Sequence, residues 1–219
     1  MTQSIYDADC RRCPRLVGFL DQVKSRHPSY FCGPVPPFGD PQAGLLVVGL
    51  APGLHGANAT GRPFTGDACS DLLYGSLHAH GFASRPRSLA ADDGLQMINC
   101  RITNAVKCLP PDNKPLGVEE QNCRPFLAAE IAAVRPKVIL CLGAVAHAAV
   151  LRSLDLKAHG QSLKSLAFAH GAVHRLGPVL VVDSYHPSRY NVNTGRLTEA
   201  MFLEVIGLAK DLLTRHTHD

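Results

Sequence analysis

Residues 45–67, LLVVGLAPGLHGANATGRPFTGD, decide how this chain folds. An apolar, β-branched run breaks at Gly49 into a segment rich in Gly and Pro, which predicts a buried strand followed by a site loop. In open α/β sheets, ligands bind at the carboxyl ends of the strands, and glycines allow the backbone to approach a ligand closely. The segment therefore predicts a ligand site, and Phe64 and Asp67 are its side chains best suited to act on a ligand.

The rest of the chain repeats the alternation of apolar strand and helix. Further strands are predicted at 97–106, 138–142 and 179–183, and helices with one apolar face follow Cys13, follow Asp67 and cover 118–134, 144–154 and 197–213. Four strands separated by helices predict an α/β fold, a three-layer αβα sandwich with a central four-stranded parallel sheet. Four prolines in 33–43 predict a loop there, and a hairpin is expected over 166–175 through His170 and Gly171.

Length and composition narrow the class of protein. The chain has 219 residues, 46% of them hydrophobic and 18% charged, which predicts one globular domain, 1–219, and argues against disorder and membrane spans. Residues 1–9 contain neither a basic start nor an apolar run, so we expect no signal peptide and a cytoplasmic location. A net charge of +4 is compatible with a polyanionic partner but does not require one.

Eight cysteines in a chain without an export signal should be mostly reduced, and they favour metal ligands or core thiols over disulfides. Cys10 and Cys13 form a close pair, and Cys108 and Cys123 form a second pair, so four thiolates are available to a [4Fe–4S] cluster or a structural zinc. The open spacing of the second pair favours iron–sulfur, although Cys108 and Cys123 can also be read as buried fillers. We expect core packing for the other four, which are Cys32, Cys69, Cys100 and Cys141.

Three further motifs accompany these cysteines. They are GLAPG at 49–53 extending to Asp67, TNAVKCLPPDNKP at 103–115, and HPSRYN at 186–191. Taken together and in this order, the motifs and cysteines resemble the uracil-DNA glycosylase superfamily, and within it the iron–sulfur family 5, or b type. Sister families usually carry Glu, Asp or Asn directly after the first Gly of the loop, whereas this chain has Leu50 and Ala51.

The resemblance implies a uracil-DNA glycosylase-like fold, a DNA partner that contains uracil or other deaminated bases, and hydrolysis that leaves an abasic site. It assigns catalytic roles to Asp67 and His186, with Asn113 and Asn191 as residues that position water or base. It assigns substrate binding to Gly49, Ala51, Gly53, Phe64, Asn104 and Arg189. Cys10, Cys13, Cys108 and Cys123 would hold a [4Fe–4S] cluster of structural role. The protein is expected to act as a monomer.

Each of these residues also has a structural interpretation. Phe64 can be a core aromatic, Asn104 can turn the chain, and Asp67 is a good helix N-cap. Arg189 and Tyr190 are candidates for a wedge that enters the duplex. Four basic residues are candidates for phosphate contacts or simply surface charges, namely Arg62, Lys107, Lys114 and Arg196. The alternative function is a non-catalytic iron–sulfur or zinc module that binds nucleic acid.

Overall fold

A six-stranded mixed sheet lies at the centre of the computed structural model, which describes residues 4–215. Residues 1–3 and 216–219, at the two ends of the expected domain, lie outside the described residues. Residues 1–3 are also the first part of the 1–9 segment in which no signal peptide was expected. The strands are β1 (Phe38–Gly39), β2 (Leu45–Gly49), β3 (Cys100–Asn104), β4 (Val138–Leu142), β5 (Val173–Leu176) and β6 (Val179–Ser184). They lie in the order β1-β3-β2-β4-β6-β5.

The four inner strands, β3, β2, β4 and β6, are parallel, as the sequence predicted. The two outer strands, β1 and β5, pair antiparallel with their neighbours and were not expected from the sequence as sheet edges. Because the inner strands are parallel, their carboxyl ends meet at one edge, where Gly49 pairs with Asn104 and Leu142 pairs with Ser184. The loops that follow these strands therefore start side by side.

Helices cover both faces of the sheet. They are α1 (Pro14–Arg26), α2 (Ala57–Thr60), α3 (Ala68–Ala79), α4 (Gly117–Val134), α5 (Ala144–Ser153), α6 (Arg189–Asn193) and α7 (Glu199–Arg215). Alternate residues of β2 separate into two cores: Leu45 and Val47 pack with α3 and α7, whereas Leu46 and Val48 pack with α4 and α5. The result is the predicted three-layer arrangement. No helix within residues 4–215 has both the length and the apolar character needed to cross a bilayer.

A third apolar cluster joins α1 to the start of α4, away from the two sheet cores. Leu16, Leu20 and Val23 of α1 pack there against Cys108, Cys123 and their neighbours. Arg15 of α1 also donates two hydrogen bonds to Glu119 of α4, at 2.8 and 2.7 Å. The segment with the C-x2-C pair is thus held against the segment with the second pair of cysteines.

Three local predictions were wrong. The hairpin does not turn at His170 and Gly171; β5 instead pairs with β6 across Gly177 and Pro178, and 170–171 is a turn that precedes β5. Positive φ at both Gly171 (77°) and Gly177 (59°) explains why either position suits a turn. The loop at 33–43 contains the short strand β1. The sequence also favours an irregular first turn for the helix at 118–134 because of Pro125, but Pro125 lies well inside α4.

Candidate active site

A cavity of about 660 Å³ opens at the carboxyl edge of the inner strands. Its walls come from the loop after β2, the end of β3 with the segment that follows it, and the loop after β6. Eight of the predicted site residues line it: Ala51, Gly53, Phe64, Asp67, Asn104, Asn113, His186 and Arg189. Residues separated by more than 100 positions in sequence therefore share one pocket.

Gly49 lies outside this lining but makes room for two residues that belong to it. A Cβ atom at Gly49 would lie 2.5 Å from Asn104 Oδ1 and 2.5 Å from Phe64 Cζ. Only a glycine at the end of β2 allows the ring and the amide to occupy these positions. Phe64 has a φ of 50°, a backbone conformation that bulky residues rarely adopt, and its side chain is only 6% exposed.

The amide of Asn104 is the polar group that fits ligand recognition best. Its Oδ1 is buried and has no hydrogen-bond partner within residues 4–215, whereas buried polar atoms in proteins are nearly always paired. An unpaired buried carbonyl costs about 1–3 kcal/mol. Because Asn104 lines the cavity, a donor on a bound ligand would remove this cost.

His186 lies next to Phe64 in the cavity lining, with ring centroids 5.8 Å apart and planes tilted by 31°. Gly143 lies beneath it, and a Cβ added to this glycine would lie 3.6 Å from His186 Cβ. Burial lowers the pKa of His186 to about 4, because the charged imidazolium loses solvation there. At neutral pH the ring is therefore uncharged and carries one N–H donor and one acceptor.

Asp67 caps α3, as predicted, and also lines the cavity. One oxygen, Oδ1, caps α3 by accepting from the backbone N–H groups of Cys69 (3.0 Å) and Ser70 (3.2 Å). The other oxygen, Oδ2, points toward the glycines of the loop, and it would lie 3.4 Å from a Cβ at Gly53. Burial raises the pKa of Asp67, while the two amides and the charge of Arg189 act in the opposite direction. One carboxylate oxygen is thus fixed by the helix and the second remains for a ligand or water.

The two asparagines proposed to position water or base lie in different places. Asn113 is exposed at the rim of the cavity, in a 3₁₀ turn, with a φ of 55°. Asn191 does not line the cavity: its Nδ2 donates to the backbone carbonyl of His186 at 2.8 Å. The geometry gives Asn191 a different connection to the site, because it fixes the loop that carries the imidazole.

Two of the four basic side chains considered for phosphate contacts are buried and paired, so that prediction was wrong for them. Arg62 binds Asp93 at 2.7 Å, and Lys107 binds Glu130 at 3.2 Å. Their partners lie 31 and 23 residues away in sequence, which is why no local pattern revealed the pairing. The other two, Lys114 and Arg196, are exposed.

The four predicted cluster ligands meet in the third apolar cluster. Burial is the main reason that the pKa of Cys108 rises to about 12, and the thiols of Cys123, Cys10 and Cys13 act in the same direction. Hydrogen-bond donors reach two of the sulfurs: the Lys107 amide lies 3.3 Å from Cys123 Sγ. The second donor, Asn122 Nδ2, lies 3.6 Å from Cys13 Sγ. Buried thiols with amide donors are the environment of a thiolate-bound metal group.

The spacing of these sulfurs separates the two candidate metals. A single tetrahedral zinc with bonds of about 2.3 Å holds its sulfur ligands roughly 3.8 Å apart. Within residues 4–215, one group of three possible ligand atoms lies within 4.8 Å of one another, and it is formed by His147, His174 and Asp183. The four cysteine sulfurs do not meet this distance limit in any group of three. The four sulfurs are therefore farther apart than a single zinc ion would hold them.

The other four cysteines lie in three kinds of place. Cys100 and Cys141 are buried in the two sheet cores, as expected. Cys32 belongs to the same apolar cluster as Cys10 and Cys13. Cys69 packs against a sheet core but also lines the cavity, because it follows the Asp67 cap in the first turn of α3.

No pattern in the sequence indicated the buried group His147, His174 and Asp183. Asp183 accepts from His147 Nδ1 at 2.8 Å and from His174 Nε2 at 3.0 Å, and His147 Nε2 lies 3.0 Å from the carbonyl of Leu166. Burial lowers the pKa of His147, but the hydrogen bond and charge of Asp183 outweigh burial and raise it overall. These contacts tie α5 and the segment before β5 to the end of β6.

An aromatic ring, an unpaired amide and an imidazole around one cavity, at the carboxyl ends of parallel strands, are the features of a small-molecule or nucleobase site in an α/β protein. The Uracil DNA glycosylase superfamily profile matches residues 36–210. A Type-5 uracil-DNA glycosylase of Pyrobaculum aerophilum is 45% identical over 202 residues, which cover 90% of this chain and 86% of the relative. One of Thermus thermophilus is 44% identical over 93% of both chains. A Type-4 uracil-DNA glycosylase of Archaeoglobus fulgidus is 29% identical, over 82% of this chain and 76% of the relative. The chain belongs to the uracil-DNA glycosylase superfamily, in its type-5 family.

Proposed function

We propose that this protein removes uracil from DNA by hydrolysing the bond between the base and the deoxyribose. The observation that supports this function most directly is the unpaired, buried Oδ1 of Asn104 in a cavity that also contains Phe64, Asp67 and His186. Uracil presents a carbonyl, an N–H and a second carbonyl in a row along its pairing edge. The side-chain amide of Asn104 is complementary to this edge, because its Oδ1 can accept from the N–H while its Nδ2 donates to a neighbouring carbonyl.

The base must leave the helix before it can reach these groups, at an unstacking cost of a few kcal/mol. Stacking on Phe64 would return about 1–3 kcal/mol, and the hydrogen bond to Asn104 would satisfy an atom that is otherwise unpaired. Arg189 and Tyr190 project from the rim, and the side chain of Tyr190 is 72% exposed. We assign them to the duplex at the point from which the nucleotide leaves. Of the basic residues, Lys114 and Arg196 remain available for phosphates.

The chemical step breaks the C1′–N1 bond and forms a bond between C1′ and a water oxygen. The departing uracil takes the bonding electrons and gains negative charge, and the neutral His186 imidazole stabilises this charge by donating its N–H to a uracil oxygen. Asp67 acts at the sugar, where its free Oδ2 orients the water or offsets the positive charge on the ring. The water's proton then passes to Asp67 or to solvent.

Strand cleavage is not expected. A glycosylase that also cuts the strand uses an amine nucleophile, and no lysine contributes to the cavity lining of the described chain. The product is therefore an abasic site with the strand intact. The loop carries Leu50 and Ala51 where sister families have Glu, Asp or Asn, which supports acceptance of other deaminated bases such as hypoxanthine. A panel of duplexes with uracil, hypoxanthine, xanthine or a thymine mismatch tests this breadth, and activity on uracil alone contradicts it.

We further propose that Cys10, Cys13, Cys108 and Cys123 hold a [4Fe–4S] cluster. When bound, such a cluster supplies a covalent link between chain segments, and glycosidic hydrolysis requires no electron transfer from it. Its contribution is then structural: it joins the start of α1 to the segment after β3 and to α4. We also propose that the protein works as a monomer in the cytoplasm.

The deciding experiment uses protein purified with its cluster and a 5′-labelled duplex that contains one uracil. Incubation followed by alkali should cut the labelled strand at the uracil, whereas incubation without alkali should leave it whole. Asn104→Ala should lower the excision rate about tenfold or more at equal iron content, because about 1–3 kcal/mol of recognition is lost. Strands that survive alkali would exclude catalysis and favour the module that only binds nucleic acid.

A further inference from the structure

The guanidinium of Arg62 lies at the centre of a buried network beside the cavity loop. Its Nη2 donates to Asp93 Oδ2 at 2.7 Å and to Ser88 Oγ at 2.8 Å, and its Nε donates to Thr65 Oγ1 at 3.1 Å. The charged group also lies 4.6 Å from the centre of the Phe38 ring. Arg62 is only 4% exposed, so its charge depends on these partners and is not available to a phosphate.

Asp93 connects this network to the segment between α3 and β3. Its carboxylate accepts from the backbone N–H groups of Leu89, Ala90 and Leu95. Burial acts to raise the pKa of Asp93, but the hydrogen bonds from Arg62 and the backbone amides hold it well below the usual range. Asp93 thus folds its own loop and presents an ionised carboxylate to Arg62.

The loop on the other side of the network contains strained backbone at Phe64, where φ is 50°. Three contacts hold this segment against its surroundings. Tyr74 Oη donates to the Pro63 carbonyl at 2.9 Å, the Gly66 amide donates to Ser88 O at 3.3 Å, and Thr65 Oγ1 lies 2.7 Å from Ser88 Oγ. A bulky residue persists in a rare conformation only where neighbouring structure imposes it.

We infer that Arg62 and Asp93 are positioning residues that hold the 62–67 loop so that Phe64 and Asp67 are in place before the base arrives. Two of the residues that contact substrate in the proposed function, Phe64 and Asp67, lie two and five positions after Arg62. Without the pair, the strained loop relaxes, the ring leaves its place beside Gly49, and the carboxylate shifts with the start of α3. This inference rests on the proposed function for its effect on rate, but not for its effect on the loop.

The first measurement is amide hydrogen exchange in the free holoprotein, which does not depend on activity. Asp93→Asn keeps the shape of the side chain and removes its charge, and the amides at 64–67 should exchange about tenfold faster, or more, than in the unaltered protein. Asp21→Asn is the matched control, because Asp21 makes an exposed ion pair with Arg11 at 3.8 Å, far from the cavity loop in sequence. Exchange at 64–67 that is unchanged in Asp93→Asn overturns the inference.

The second measurement is the single-turnover excision of uracil, compared with the affinity for undamaged duplex. A misplacement of about 1 Å in an active site can lower the rate about 100-fold, so Asp93→Asn should lose rate by roughly this factor while binding undamaged DNA normally. Val205→Ala in α7 controls for general destabilisation and should keep the rate. Ser88→Ala, which removes one partner of Arg62, serves if Asp93→Asn does not fold, and should lose rate and protection in the same direction.

The two measurements separate the ways in which the inference can fail. Faster exchange with an unchanged excision rate refutes the positioning role, although the pair still fixes the loop. Unaltered protein that does not excise uracil refutes the proposed function, and exchange then decides alone whether the pair holds the loop.

Discussion

Replacing Gly49 with alanine tests the geometry of the cavity at its tightest point. The added Cβ would lie 2.5 Å from both Asn104 Oδ1 and Phe64 Cζ, and 2.7 Å from Phe64 Cε2. Ordinary contacts between heavy atoms are about 3.5–4.0 Å, so the ring and the amide must each move by about 1 Å. Both groups are fixed on their other sides, Phe64 by its buried position and Asn104 by the end of β3.

Two magnitudes follow from this displacement. Overpacking of a well-filled site costs about 1–3 kcal/mol of unfolding free energy. Displacement of the stacking ring and the recognising amide by about 1 Å should lower the single-turnover rate of uracil excision about 100-fold. The rate should therefore fall far more than the folded population, which remains nearly complete if the protein has ordinary stability.

The assay compares single-turnover excision and thermal unfolding for the unaltered protein, Gly49→Ala and Gly18→Ala. Gly18 lies inside α1, and an added Cβ would meet nothing within 4 Å apart from its chain neighbours and the backbone of its own helix. Its substitution by alanine should therefore raise helix stability by up to about 1 kcal/mol and leave the rate unchanged. A Gly49→Ala protein that excises uracil at the unaltered rate would refute the reasoning, because Phe64 and Asn104 could then not be the groups that bind the base.

Three further results are expected. Cys108→Ala should abolish bound iron and the absorption near about 400 nm and lower stability, whereas Cys100→Ala should retain both iron and colour; equal iron in the two variants contradicts the ligand assignment. Because the pKa of His186 is about 4, its ring stays neutral across the working range. The pH profile of the single-turnover rate should therefore contain no step near about pH 6.5 that comes from His186. A step there that is present in the unaltered protein and absent from His186→Gln would contradict this expectation. The raised pKa of His147 means that its pairing with Asp183 stabilises the fold fully below about pH 6.5 and loses that contribution as pH rises through the raised value. Denaturant titration should thus find that His147→Gln costs more stability at about pH 6 than at about pH 9, and an equal cost at both would contradict the pairing.

The sequence was sufficient for the elements whose pattern is local. The apolar runs of β2, β4 and β6 are buried on both sides, so their strand assignment needed no knowledge of neighbours. Asp67 before a helical pattern predicted an N-cap, and the structure confirms that its side chain accepts two backbone hydrogen bonds. The edge strand β1 escaped prediction because it has only two residues and lies in a proline-rich segment. For β5, a hairpin was predicted, but its turn was placed at His170 and Gly171 and not at Gly177 and Pro178.

Pairing between distant residues was the part that sequence could not provide. Arg62 and Lys107 looked like surface cations near the site loops, but Asp93 and Glu130 neutralise them in the interior. The residues next to Arg62 in sequence do not show whether its side chain is buried, because its partner Asp93 lies 31 residues away. The same limit applied to Asn191, whose link to the His186 backbone depends on how the loop after β6 turns.

The short outer strands of the sheet affect how the protein behaves at high concentration. A sheet that ends in a long, flat strand offers unpaired amides and carbonyls to a second molecule, which leads to stacking into fibres. Here β1 ends after two residues, and β5 has four residues of which two are exposed. Neither rim gives a neighbouring molecule enough backbone for a lasting ladder, so we expect concentrated solutions to stay clear during storage.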